Sequence, residues 1–220
     1  MLTAAIDVLV RDGAAGQRSL SCLLDAVEAL ISGQSADLAL GDRDAVDSVT
    51  TDEVLAMEAG KTAALLACSS SIGAIAAGAP AQVVDGLAAF GHELGMAFQL
   101  VDDILGITGD AAATGKSSSS DVRAGKRSAP IVAALTSGTA ASKLLARLLA
   151  EGPPANDDDV TFATKLIDEA GGLEWAAREA DHRLALALNH LDRVAENIAT
   201  PAGTTFDLAA LARYVVERDR

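Results

Sequence analysis

The feature that most constrains this chain is the recurrence of Leu87, Gly91, Leu94, Phe98, Val101 and Leu105 at steps of three and four. That spacing is the period of a helix face turned towards a core. On the neighbouring face stand Gln99 and two adjacent acids, Asp102 and Asp103. Neighbouring carboxylates far from a helix end repel one another and cost desolvation unless a proton or a cation neutralises them. A hard divalent cation that takes carboxylate oxygens, Mg²⁺ first, is one answer. A solvated helix face and an ion pair with a basic residue are the others, and the acid pair alone does not choose among the three.

The same period is expected throughout. Half of the 220 residues are hydrophobic but only 3% are aromatic, so the apolar content is Ala, Leu and Val. That mixture suits closely packed helices better than strands. Residues 1–220 are therefore read as a single all-α domain. The formal net charge of -14 argues against a nucleic-acid partner, which would want a basic stripe, and against an anionic membrane surface. Cys22 and Cys68 have no metal-ligand spacing and are expected to be buried, reduced thiols. With no basic, apolar leader at the first residues, the chain is expected in the cytoplasm.

Read in order, Met1 to Val10 looks like the middle of an apolar helix, without an N-cap before it. Arg11 to Gln17 reads as a Gly/Ala loop, and Ser19 to Ile31 as an amphipathic helix, with Gly33 offering a C-cap turn. Gly41 to Thr51 reads as an acidic loop before a helix starting at Thr51-Asp52-Glu53. No charged residue occurs from Thr62 to Val84, a span near membrane length. Its serines, glycines and Pro80 favour a bundle helix buried on all sides, with Lys61 at its edge and no transmembrane segment. After Gly109 comes a polar loop holding Lys116, Arg123, Lys126 and Arg127. Asp157, Asp158 and Asp159 follow a Pro/Gly turn and read as N-terminal helix residues rather than a second metal motif.

Several stretches stand in one order. They are Gly33-Gln34-Ser35-Ala36-Asp37-Leu38, Gly60-Lys61-Thr62, Phe98-Gln99-Leu100-Val101-Asp102-Asp103, Thr114-Gly115-Lys116, Asp121-Val122-Arg123-Ala124-Gly125-Lys126 and Pro130. That series resembles the trans-polyprenyl diphosphate synthases, whose second aspartate-rich motif F-Q-x-x-D-D-x-x-D is trailed by G-K, D-x-x-x-G-K and P. The resemblance runs from the first residues to about Ala134. It implies an isoprenoid-synthase-type helical bundle, incomplete at its N-terminus. The family's first helices, with the first aspartate-rich motif and the isopentenyl-diphosphate site, would lie ahead of Met1.

The resemblance also implies a chemistry. An allylic prenyl diphosphate ionises, isopentenyl diphosphate attacks the allylic cation, and a proton leaves. By position, Asp102 and Asp103 would hold Mg²⁺, with Lys61 as the third catalytic group. Lys61, Thr62, Gln99, Lys116 and Lys126 would bind the diphosphate. The chain departs from the pattern at Gly106, where the family carries its third Asp; Asp110, one turn further on, is the candidate replacement metal ligand. Three functions follow: a prenyltransferase, a partner-dependent helical subunit of the synthases, and a terpene cyclase of the same class. The family resemblance implies a homodimer, or a heteromer with a complete synthase.

Overall fold

The helical period predicted for the centre of the chain is realised as one 28-residue helix, Ala81–Thr108, here α5. The computed structural model describes residues 2–43, 48–109, 119–197 and 204–217. Among them the regular elements are all helical: α1 (Leu2–Arg11), α2 (Gly13–Gly41), α3 (Thr51–Glu58), a π-helical turn (Ala59–Ala63), α4 (Ala64–Ala76), α5, α6 (Ser120–Arg123), α7 (Ala129–Thr136), α8 (Ala140–Ala150), α9 (Asp157–Glu169), α10 (Gly172–Asn197) and α11 (Thr204–Glu217). The all-α class read from composition is the class found.

The chain divides into two units. The first comprises Met1–Gln34, Glu58–Ala97 and His182–Arg220. The loop expected over Arg11 to Gln17 shrinks to Asp12, because Gly13, at φ +65°, turns the chain straight into α2. Nor does α2 stop at Gly33. It continues to Gly41, and Gly33 serves a different purpose: a Cβ there would lie 2.3 Å from the Lys61 amide nitrogen. At Gly91 a Cβ would meet the Leu66 carbonyl oxygen at 2.4 Å, and at Gly95 the Ala63 Cα at 2.6 Å. Small residues thus set the spacing at which α2 and α5 approach the backbone of the π turn and α4.

One expectation for this unit needs correction. The apolar run was expected to be buried on all sides, yet in Thr51–Ala76, the helical stretch that holds most of it, only 17% of the most apolar window is buried. Ala63, Cys68 and Ser71 are buried, while Leu65, Leu66 and Ile72 are half-buried, so one side of the helix is covered and the rest is not. By length and composition Thr51–Ala76 is apolar enough to cross a membrane, and the pair Ala129–Thr136 and Ala140–Ala150, bent by 119°, passes the same test jointly. Helix α1 buries no residue, and Val8 and Val10 are exposed.

The second unit comprises Ser35–Met57 and Phe98–Asp181. Its core gathers Ile107, Val122, Ile131, Leu135, Leu145, Val160, Leu166 and Ile167. Helix starts are chemically marked. The Thr50 hydroxyl accepts from the Glu53 amide at 3.3 Å while Glu53 accepts from the Thr50 amide at 2.9 Å, a reciprocal capping box. Asn156 caps α9 by accepting from the Asp159 amide at 2.9 Å, as the N-terminal reading of that acidic run requires.

Candidate active site

Within the second unit, the C-terminal part of α5 treats its two acids differently. The buried stripe on this segment is Leu100, Asp103 and Ile107, at helical spacing, so Asp103 occupies a core position. It is 5% exposed. Its carboxylate is satisfied there: Oδ1 accepts from Gln99 Nε2 at 2.9 Å and Oδ2 from the Ala129 backbone amide at 3.0 Å. The Ala129 amide is one of the orphan donors at the start of α7, so a carboxylate is welcome beside it. A solvated face is therefore excluded for Asp103. Asp102, its neighbour, is half-buried.

The predicted face of α5 is partly displaced by this finding. Gly91, Leu94 and Val101 are buried as expected, but Leu87, Phe98 and Leu105 are only half-buried. Phe90, Met96, Ala97, Leu100 and Ile107 are buried instead. A helix that carries apolar residues on more than one side does not declare which side a core will choose.

The loop after α5 brings a third carboxylate to the same unit. Ser119, at φ +55°, is in a conformation rare for a residue with a side chain. Its hydroxyl donates to the Ile107 carbonyl at 2.8 Å and fastens the loop to the end of α5. Asp121 is then buried in α6, and a Cβ at Gly106 would lie 2.7 Å from its Cγ. The missing family Asp thus coincides with a place filled by another acid. Sequence spacing could not reveal this, since Asp121 is fifteen residues from Gly106 and belongs to a different helix.

Asp121 holds Lys126, Nζ to Oδ1 being 3.0 Å. Burial pulls the Lys126 ammonium down, but the Asp121 carboxylate, then Asp103 and Asp102, outweigh it and hold its pKa above the ordinary lysine value. The ammonium therefore sits in the field of all three acids. Gly125, at φ +64°, makes the turn that presents it. Next to it, the Arg127 guanidinium donates to the Arg43 carbonyl, and Arg43 pairs with Glu53 at 2.6 Å. Lys126 and Arg127 line a cavity of about 330 Å³ together with Gly41, Ile131, Leu149 and Pro153.

Lys61 and Thr62 belong to the first unit and lie in the π turn. Such turns insert an extra residue into a helix and are common where a side chain must be re-aimed. Glu58, which the sequence reading passed over, is buried immediately before it. Lys116 and Asp110 lie outside the described residues.

The chain has known relatives in sequence and in fold. The polyprenyl synthetase family model matches residues 1–167. The chain is 38% identical to the (2E,6E)-farnesyl diphosphate synthase of Mycobacterium bovis, over 99% of this chain and 60% of that protein. Among solved structures, a polyprenyl synthetase from Streptomyces coelicolor A3(2) is 41% identical with a TM-score of 0.89, covering 97% of this chain and 63% of that one. A geranylgeranyl pyrophosphate synthase from Corynebacterium glutamicum, complexed with isoprenyl diphosphate and magnesium, is 30% identical with a TM-score of 0.83, covering 94% and 57%. The chain spans about three fifths of the length of these relatives. By the family model and by these likenesses, the chain belongs to the polyprenyl synthetase family.

Proposed function

We propose that the acid pair of α5 and the loop after it form the diphosphate-binding half of a prenyltransferase, which joins an allylic prenyl diphosphate to isopentenyl diphosphate. The observation that carries this reading is the division of labour between neighbouring acids. Asp103 is built into the core by Gln99 and the Ala129 amide, and this fixes the helix turn from which half-buried Asp102 projects.

The donor set suits Mg²⁺. It consists of hard oxygens, and among the described residues no three His, Cys, Asp or Glu side chains gather into a cage. Mg²⁺ is usually held by one or two carboxylates, with water and substrate phosphate completing its shell. Asp102 and Asp103 would hold it through their carboxylate oxygens. The ion would supply charge neutralisation for a departing diphosphate. Lys126 adds a point charge for the same anion. Asp121 keeps that ammonium in place and provides negative charge beside Gly106, a role the resemblance assigned to Asp110. Gln99 acts through Asp103. Lys116, Lys61 and Thr62 are assigned to the diphosphate by resemblance, and the π turn around Lys61 supports a functional site there.

Thr51–Ala76 is read as a bundle helix, since a span would place Glu58 and Lys61 in hydrocarbon at considerable cost. A cytoplasmic location and a homodimer follow from the family reading. One observation favours a second reading, a subunit that works with a complete synthase: α1 is apolar yet buries nothing. Radiolabelled isopentenyl diphosphate with an allylic primer and Mg²⁺ tests both. Labelled, elongated product from the chain alone supports the enzyme. Label appearing only when a complete synthase is added, above that synthase's own rate, supports the subunit. A cyclic hydrocarbon formed without isopentenyl diphosphate overturns both in favour of a cyclase.

A further inference from the structure

The two cysteines of the chain are 46 positions apart in sequence, but α2 and α4 bring them together. Cys22 Sγ lies 3.9 Å from the Ser71 hydroxyl, and Ser71 is one helical turn beyond Cys68 on α4. Ser71 is itself anchored, donating to the Ala67 carbonyl at 2.8 Å. Cys22, Cys68 and Ser71 all line one cavity of about 490 Å³ in the first unit, whose other walls include Ala26, Ala29, Ala64 and Ala67. The approach has a backbone cause. Gly33 and Gly60 let α2 and the π turn touch almost without side chains between them, and a Cβ at Gly60 would stand 2.9 Å from the Ala29 carbonyl oxygen. Two such points, Cys22 opposite Ser71 and Gly33 opposite Lys61, also fix the helices as antiparallel.

We propose that Cys22 and Cys68 are a dithiol site that exchanges with a small-molecule disulfide to form an intramolecular Cys22–Cys68 bond, stapling α2 to α4 beside the cavity. The step balances. The Cys22 thiol loses its proton and attacks one sulfur of a disulfide such as oxidised glutathione. That forms a mixed disulfide and releases one glutathione thiol. Cys68 then loses its proton and attacks the Cys22 sulfur, releasing the second glutathione. The protein dithiol is oxidised by two electrons and the small disulfide is reduced by two.

The order of attack follows from exposure. Cys22 is half-buried, while Cys68 is 5% exposed. Burial first, and the Cys22 thiol hydrogen-bonded to it second, push the Cys68 thiol up to about 12. So little Cys68 thiolate is present near neutrality that closing the staple is the slow step, and the mixed disulfide at Cys22 accumulates first. The site also suits a trivalent arsenical. Phenylarsine oxide would condense with both thiols, forming two As–S bonds and releasing water, with no change of oxidation state.

The test is intact mass after incubating the folded, full chain with oxidised glutathione. The expected course is one transient glutathione adduct, then a stable species lighter than the starting chain by two hydrogens. Cys68→Ser should stop at the single adduct, and Cys22→Ser should gain none on the same timescale. On the unmodified chain, one equivalent of phenylarsine oxide should protect both cysteines from maleimide. Two stable adducts, a disulfide-linked dimer, no mass change, or maleimide reaching a cysteine through the arsenical would each overturn the proposal.

Discussion

Replacing Gly33 by Ala tests the contact that shapes the neighbourhood of Lys61. The new methyl would stand 2.3 Å from the Lys61 amide nitrogen, 2.8 Å from the Gly60 carbonyl carbon and 2.9 Å from Lys61 Cα. Ordinary contact is about 3.5 Å, so α2 and the π turn must part by about 1.2 Å. Every atom met is backbone, and none can rotate aside. Overpacking costs about 1–3 kcal/mol, and rigid neighbours put this site near the top of that range. Ala gains about 1 kcal/mol over Gly in a helix interior. The net loss is about 1–2 kcal/mol, a fall in Tm of about 2–8 °C for a chain of this size. Gly73, in α4, is the control, because a Cβ there meets nothing within 4 Å. Its replacement by Ala should raise Tm by about 2–4 °C. Thermal unfolding followed by circular dichroism reads both. If Gly33→Ala melts at or above the unmodified chain while Gly73→Ala gains, the close contact does not exist and the reasoning fails.

Other outcomes follow from the second unit. Asp103→Ala strands the buried Ala129 amide and the Gln99 carboxamide. It should cost about 2–4 kcal/mol by chemical denaturation, with Asp103→Asn losing clearly less because one acceptor remains. Asn156→Ala removes the α9 cap and should cost about 1 kcal/mol in the same measurement. Glu53 is held at about 2, against 4.5 ordinarily, by the Arg43 guanidinium first and the Thr50 amide and hydroxyl next. A carboxyl depressed in the folded state stabilises above its unfolded pKa and loses that contribution as pH falls towards the folded one. Between pH 4.5 and about 2 the melting temperature of the unmodified chain should therefore fall more steeply than that of Glu53→Gln, and parallel curves would contradict the ion pair.

Much of this was legible in residue order alone. The helical class, the α3 and α9 starts and the membership implied by the Asp102-Asp103 context all rest on local chemistry, which sequence displays directly. What escaped depends on distant partners. Gly33 looked like a helix end because glycine often is one; only the backbone of Lys61 opposite it explains a glycine in mid-helix. The π turn at Ala59–Ala63 leaves no mark in a pattern of Ala, Gly and Thr. Asp103 was placed on a face beside the core, and its burial required a donor, the Ala129 amide, that lies 26 residues away. Gly106 read as a missing ligand until Asp121 was found against it. Half-exposure of Cys22, expected to be buried like Cys68, reflects the cavity between α2 and α4, which no local pattern encodes.

The central claim is that Asp102, propped by Asp103, recruits a diphosphate through a divalent cation. Calorimetric titration of an allylic prenyl diphosphate into the chain, with and without Mg²⁺, tests it most directly. The account expects binding that requires Mg²⁺ and weakens at least about tenfold in Asp102→Asn, with the fold unchanged by circular dichroism. Binding of equal strength in Asp102→Asn, or binding indifferent to Mg²⁺, would contradict it.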